Sequence, residues 1–367
     1  MTADVVVVGG GPAGIATAIA AAQRGLRVSL IDSRKPPLDK PCGEGLLPDA
    51  VAALRQIGIP LDSTLGFPFA GIRFSDENSS VAARIGRGQA FGLRRTTLHR
   101  LLADRAREAG VSCLWGARIS HLEARGVHVD GRLIPYRFLI GADGQNSMVR
   151  QWARLGPRRQ KRSRFGFRRH YPVSPWTEMV EVYWGRRCQL FVTPTGASEV
   201  CLALLSSDPR LRIDRALDQF PEAAKRLRGV SPLPAESGTL TALWSARAVV
   251  RGNVALVGDA SCTIDGIAGQ GLTLAFQEAV SLGEALARGD LSRYESAHRE
   301  ITKTATRMTR LLLLMSRCSW IRRKTLRLFA KRPGLFSHMI SIHAGERPPE
   351  ALGAGEIFRL GCRVLSA

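Results

Sequence analysis

The chain has 367 residues, 45% of them hydrophobic, enough for two domains or for one large domain with an insertion. No window approaches the roughly 18 uninterrupted apolar residues of a membrane span, so a spanning protein is not expected. Seven scattered cysteines without a CxxC pair, and seven histidines at no ligand spacing, argue against a disulfide framework and against a metal site, while a formal charge of +22 favours anionic partners.

Asp4 and the four valines that follow predict a buried parallel strand, and Gly9-x-Gly11-x-x-Gly14 turns it directly into an alanine-rich helix. Gly9 permits the tight turn, Gly11 lets backbone approach a pyrophosphate, and Gly14 allows close helix–strand packing. The pyrophosphate would sit on the N–H groups at the helix start. A second strand, Leu26 to Ile31, ends in Asp32, where a carboxylate binds a ribose hydroxyl. These features together predict a dinucleotide site. The apolar start lacks the basic leader of a signal peptide, and the glycine turn accounts for its apolarity, so a cytoplasmic location is expected.

Residues 35–48 form a Pro- and Gly-rich loop containing Cys42, Gly43 and Glu44, irregular backbone suited to lie against a flat ligand. Cys42 is either a side chain flanking that ligand or a small buried residue at a turn. Helices are predicted over Asp49 to Ile57 and from Thr96 or Thr97, as N-cap, to Gly110. Short strands follow over 111–134, and Phe138 to Ala142 leads into Asp143-Gly144. Residues 165–250 alternate apolar and polar positions and predict a mostly antiparallel sheet, interrupted by a helical stretch over 212–226. A last buried strand, Asn253 to Val257, runs into Gly258-Asp259, and a helix is predicted over 272–288.

Beyond about residue 299 the pattern is helical and basic, with Met308, Leu311, Leu312, Met315, Cys318 and Ile321 at three- and four-residue steps. Such a segment either packs over the core or lies on an anionic membrane surface. Arg158 to Arg169 forms a second basic cluster, with seven Lys/Arg in twelve residues. Phosphorylated cofactors, an acidic carrier protein or an anionic membrane are the partners this charge suits. Nucleic acid is not expected, because stacking aromatics are not interleaved.

Three glycine-plus-aspartate turns after three buried strands, in this order, resemble the FAD-dependent superfamily of para-hydroxybenzoate hydroxylase, which also contains geranylgeranyl reductases and flavin-dependent halogenases. The resemblance covers about residues 1–300. It implies FAD held by Gly9, Gly11, Pro12, Ala13, Gly14, Asp32, Ser33 and Arg34 at the adenosine and pyrophosphate end. Arg95, Asp143, Gly144, Gly258 and Asp259 would follow along the phosphates and ribityl chain, with Cys42 and Gly43 near the flavin. Gly269, Gln270, Gly271 and Leu272 would open a helix whose positive end faces the ring. Asp143 and Asp259 have helix N-capping as their alternative role. No catalytic residue is singled out beyond Cys42, Gly43 and Glu44 as candidates, and His170, Tyr183, Trp184 and Phe191 are candidates for the substrate pocket.

The implied fold is α/β: a Rossmann-like FAD-binding domain from residues 1–72, 92–155 and 250–298, an inserted antiparallel-sheet substrate domain from 73–91 and 156–249, and a helical C-terminal segment, 299–367. The implied activity is an NAD(P)H-dependent monooxygenase acting on an aromatic or polyketide-like lipophilic substrate. Pro41-Cys-Gly-Glu-Gly-Leu46 is also similar to a segment of geranylgeranyl reductases, which saturate isoprenoid or lipid double bonds. Their Tyr-x-Trp-x-Phe-Pro motif is absent, as is the Trp-x-Trp-x-Ile-Pro motif of halogenases. A third reading is a non-enzymatic electron-relay flavoprotein.

Overall fold

The computed structural model describes residues 3–156, 163–234 and 236–347. The valine run forms the strand Ala3–Val8, with both faces buried. It pairs in parallel with Val28–Asp32 on one side and with Arg132–Gly141 on the other. Ser112–Trp115 and Val254–Leu256 extend the parallel sheet at its two ends. All four contacts are parallel, so the strands end on one edge, the edge at which open α/β sheets bind their ligands.

The helix Pro12–Ala22 packs on this sheet, and Gly271–Arg288 packs against that helix. Small residues set their spacing: a Cβ on Gly283 would lie 2.7 Å from that of Ala20. The helix Arg95–Glu108 begins with Arg94 at its N-cap and no side-chain cap. Thr96 and Thr97 therefore lie inside its first turn. The reason is tertiary, since the Arg95 N–H donates to Glu44 Oε1 at 2.9 Å.

The second sheet has seven strands, in the order Ser237–Thr241, Arg164–Tyr171, Glu199–Ser206, Cys188–Gly196, Met179–Trp184, Gly71–Ser75, Ser80–Arg84. Neighbours are antiparallel except Met179–Trp184 with Gly71–Ser75. Its two faces bury different partners, as a period of two requires. Leu190, Val192, Leu202 and Leu204 pack under two short helices, Ile213–Leu217 and Pro221–Arg226, which divide the stretch expected as one helix at Pro221. Phe74, Val180, Val182 and Leu205 face the other way, toward the C-terminal helices Ser292–Arg317, Ser319–Lys331 and Pro333–His343. A three-stranded ribbon, Gly45–Leu46, Phe67–Phe69 and Ala90–Gly92, connects the two parts.

The basic cluster at 158–169 does not form a surface field over its described half. Arg164 and Arg168 alternate inward along their strand and are buried, the first on Asp265 and the second on Asp39 and Glu44. Arg169 is paired with Asp214 and Glu236. Arg158, Arg159, Lys161 and Arg162 lie outside the described residues. No helix among the described residues is long and apolar enough to cross a membrane.

Candidate active site

A cavity of about 1080 Å³ runs from the edge of the parallel sheet to the space between the seven-stranded sheet and the C-terminal helices. The glycine turn makes its first wall. Gly9 has φ +111°, and a Cβ there would lie 2.3 Å from the Ala142 carbonyl oxygen. Gly14 lets the helix approach so closely that a Cβ would lie 1.9 Å from the Gly9 oxygen. Around Gly11, by contrast, the space is open for 4 Å, so its backbone is free to meet a ligand. Gly10, a variable position of the motif, is constrained as well: a Cβ would lie 2.2 Å from the Trp115 ring. The Gly10 carbonyl accepts from His99 Nε2 at 2.8 Å, and burial pushes the pKa of that histidine down. Nothing in the local sequence around His99 or Trp115 marks them as parts of this turn.

Asp32, at the end of its strand, lines the cavity beside the glycine turn. One carboxylate oxygen accepts from Gly10 N at 2.7 Å and the other from Arg34 N at 2.8 Å, which aims the group at the cavity. Asp143 Oδ2 accepts from Met148 N and Val149 N at 2.6 and 3.2 Å, at the start of the helix Met148–Trp152 whose N-cap is Ser147, while its buried Oδ1 has no partner among the described residues. Asp259 does not cap. It stands in a single 3₁₀ turn, Gly258–Ala260, and meets Lys40 across the cavity at 2.5 Å. The turn itself is held from behind, where Glu278 Oε2 accepts from Gly258 N at 2.7 Å and from Ser261 Oγ at 3.1 Å.

Arg95 lines the cavity and is buried, and its Nε and Nη1 have no hydrogen-bond partner among the described residues. Burial lowers its pKa, with the nearby Cys42, Asp259 and Glu44 opposing. A buried guanidinium with unused donors, beside a glycine turn at a helix start, fits a phosphorylated ligand.

Cys42, Gly43 and Glu44 line the same cavity. Cys42 Sγ accepts from the Glu44 N–H at 3.3 Å, and burial pushes its thiol up, so it stays protonated rather than acting as a thiolate. Glu44, at φ +60° and 1% exposed, is the hub of a buried network. Its carboxylate meets His170 Nε2 at 2.6 Å and Arg168 Nη1 at 3.2 Å, and Arg168 continues to Asp39 at 2.7 Å. Glu44, His170 and Cys201 gather closely enough to suggest a cation site. The adjacent Arg168 guanidinium supplies that positive charge already.

Past the turn Asp265–Gly269 the walls become apolar. Asp265 accepts from Ile267 N and from buried Arg164, and Gly269 takes φ +64° before the helix begins at Gly271. Phe69, Ile72, Val180, Val182 and Phe191 come from the sheets, and Met308, Leu312 and Met339 from the C-terminal helices. His343 also lines this chamber, and burial lowers its pKa to about 4, so the imidazole is neutral there.

Of the expected cofactor residues all but Gly14 and Gln270 line the cavity; Gln270 instead donates to the His343 carbonyl at 2.7 Å. Among the four pocket candidates Phe191 lines it. Tyr183 points to the opposite face of its strand, where its hydroxyl meets Glu181 at 2.7 Å. Trp184 shares the inner face but is buried against Phe74. His170 is covered by Glu44.

The FAD binding domain family model, FAD_binding_3, matches residues 2–311. The chain belongs to this family. It is an FAD-dependent enzyme of monooxygenase-like type, with a helical segment after its α/β body. A menaquinone reductase of Mycobacterium tuberculosis is 31% identical over 322 residues, 80% of this chain and 78% of that one. A putative 2-heptyl-3-hydroxy-4(1H)-quinolone synthase of Rhodococcus erythropolis is 28% identical over 327 residues, 80% and 84% of the two chains. The crystal structure of a flavoprotein/dehydrogenase from Cytophaga hutchinsonii shares the fold, with a TM-score of 0.82 at 18% identity over 95% of this chain and 94% of that one.

Proposed function

We propose that the protein is an NAD(P)H-dependent FAD monooxygenase that hydroxylates an aromatic ring carrying a long apolar chain. The observation behind this reading is the continuity of one cavity from the phosphate cradle into a chamber walled by Ile72, Val180, Val182, Phe191, Met308 and Leu312. Bound FAD would supply the redox chemistry that links a nicotinamide donor to oxygen. The chain supplies the rest. Gly9, Gly11, Asp32 and Arg95 would hold the phosphates and ribose, and Asp259, paired with Lys40, would bind the ribityl chain. The start of the Gly271–Arg288 helix, which lines the cavity, would stabilise negative charge on a reduced flavin ring. The apolar chamber holds the substrate chain and keeps water from the reacting atoms. Glu44, paired with His170 at 2.6 Å, places a buried carboxylate on the wall of the same cavity.

The test is oxygen and NADPH consumption with 3-pentadecylphenol against phenol. Oxygen uptake matched by hydroxylated product, and much faster with the long-chain phenol, is the expected result. Equal rates for the two substrates would remove the role given to the apolar chamber.

The 31% identity to a menaquinone reductase, together with Cys42 on the cavity wall, favours a second reading: a geranylgeranyl-reductase-like enzyme that saturates an isoprenoid double bond. It requires turnover without oxygen. Anaerobic reoxidation of the NADPH-reduced enzyme by a menaquinone, with a gain of two hydrogens in the side chain that survives reoxidation of the quinone ring and no oxygen-dependent product from phenols, would establish it in place of the first.

A further inference from the structure

Seven large hydrophobic side chains stand exposed among the described residues, and Leu311, Leu314 and Trp320 are three of them. They sit where the helix Ser292–Arg317 ends and Ser319–Lys331 begins. Arg307, Leu311 and Leu314 recur at four- and three-residue steps, one face of the first helix, with exposed Arg310 and Arg317 beside them. Trp320, Arg323, Arg327 and Lys331 repeat the arrangement on the second helix, all exposed. Lys324 Nζ lies 5.9 Å above the Trp320 ring. From Ile301 to Gly345 the sequence contains no aspartate or glutamate. The inner side of the first helix carries Met308 and Leu312 into the cavity.

We propose that this corner docks on an anionic lipid bilayer, with Leu311, Leu314 and Trp320 seated at the headgroup boundary and the arginines and lysines around them on lipid phosphates. Charge complementarity selects an anionic surface. The apolar crown selects a bilayer over an acidic protein, which would engage the arginines but leave two leucines and a tryptophan without a role. Tryptophan suits the boundary, being apolar in body and polar at its N–H. Docking would set the apolar chamber one helix thickness from the lipid, the phase in which a long-chain substrate dissolves.

The experiment is co-sedimentation of the FAD-loaded enzyme with vesicles of phosphatidylcholine alone and with vesicles about one third phosphatidylglycerol. Binding about tenfold or more tighter to the anionic vesicles is expected, weakening as salt rises. The double variant Leu314→Ser/Trp320→Ser should lose about tenfold of it, while Leu133→Ser, an exposed leucine on another strand, should lose none. Brominated lipid should quench tryptophan fluorescence in the parent and less in Trp320→Phe. Absence of binding to anionic vesicles overturns the proposal. So does binding that Leu314→Ser/Trp320→Ser leaves intact while salt abolishes it, the behaviour of a surface built for an acidic protein. Sedimentation needs no turnover, so failure here and failure of the monooxygenase assay are read separately.

Discussion

Glu44 Oε2 and His170 Nε2 lie 2.6 Å apart, both buried, although 126 positions separate them in the chain. The same carboxylate accepts from Arg168 and from the Arg95 backbone N–H. Glu44→Ala would take from Arg168 one of its two carboxylate partners, Asp39 remaining, and from the buried His170 imidazole its Nε2 partner. Removing one partner of a buried ion pair costs about 3–5 kcal/mol. Glu44→Gln keeps the shape and part of the hydrogen bonding and should cost less. Urea denaturation of both variants checks the order; a loss under about 1 kcal/mol for Glu44→Ala would show that the network does not hold the fold.

Arg95 carries two buried donors in the cavity that have no partner among the described residues. Arg95→Met should therefore act in opposite directions on the two states. The apo protein should gain stability, because a buried unpaired charge is removed. FAD should bind about ten- to a hundredfold more weakly, because a charge-assisted contact to the cofactor is lost. Thermal melts of apo protein and flavin fluorescence titration measure the two effects. A variant that binds FAD normally would place the arginine outside the cofactor site.

Gly9 and Gly11 should fail differently. Gly9→Ala forces a side chain onto φ +111° and into the Ala142 carbonyl, so the fold itself should suffer. Gly11→Ala meets no protein atom within 4 Å. Its apo melting temperature should match the parent, while its affinity for FAD falls, the methyl taking the space of the pyrophosphate. Normal FAD uptake by Gly11→Ala would mean that the phosphates lie elsewhere.

His343 has its pKa lowered by burial to about 4, from an ordinary 6.5. The unfolded chain binds the proton first as pH falls. Stability from the neutral imidazole is complete above pH 6.5 and is lost progressively as pH falls toward 4. The full effect is about 3 kcal/mol. His343→Leu should flatten that part of the profile, so parent and variant should converge or cross between pH 6.5 and 4. Urea midpoints across this range decide it, and parallel profiles would count against a buried neutral histidine.

The sequence by itself determined the cofactor turn, the parallel strands and the three glycine-plus-aspartate turns, because their requirements are local. A positive φ and an unbroken apolar run are properties of adjacent residues, and Gly9 and Ala3–Val8 satisfy them locally. Only the tertiary structure decided which side chains meet. Tyr183 and Trp184 are neighbours in sequence but face opposite sides of one strand, so choosing pocket residues required the register. Arg164 and Arg168 read as surface charge until the sheet turned them onto Asp265, Asp39 and Glu44. Trp115 against Gly10, and His343 over the turn before Gly271, join segments far apart in the chain. Such contacts arise when two sheets and three terminal helices pack around one cavity, and no periodicity within any one segment encodes them.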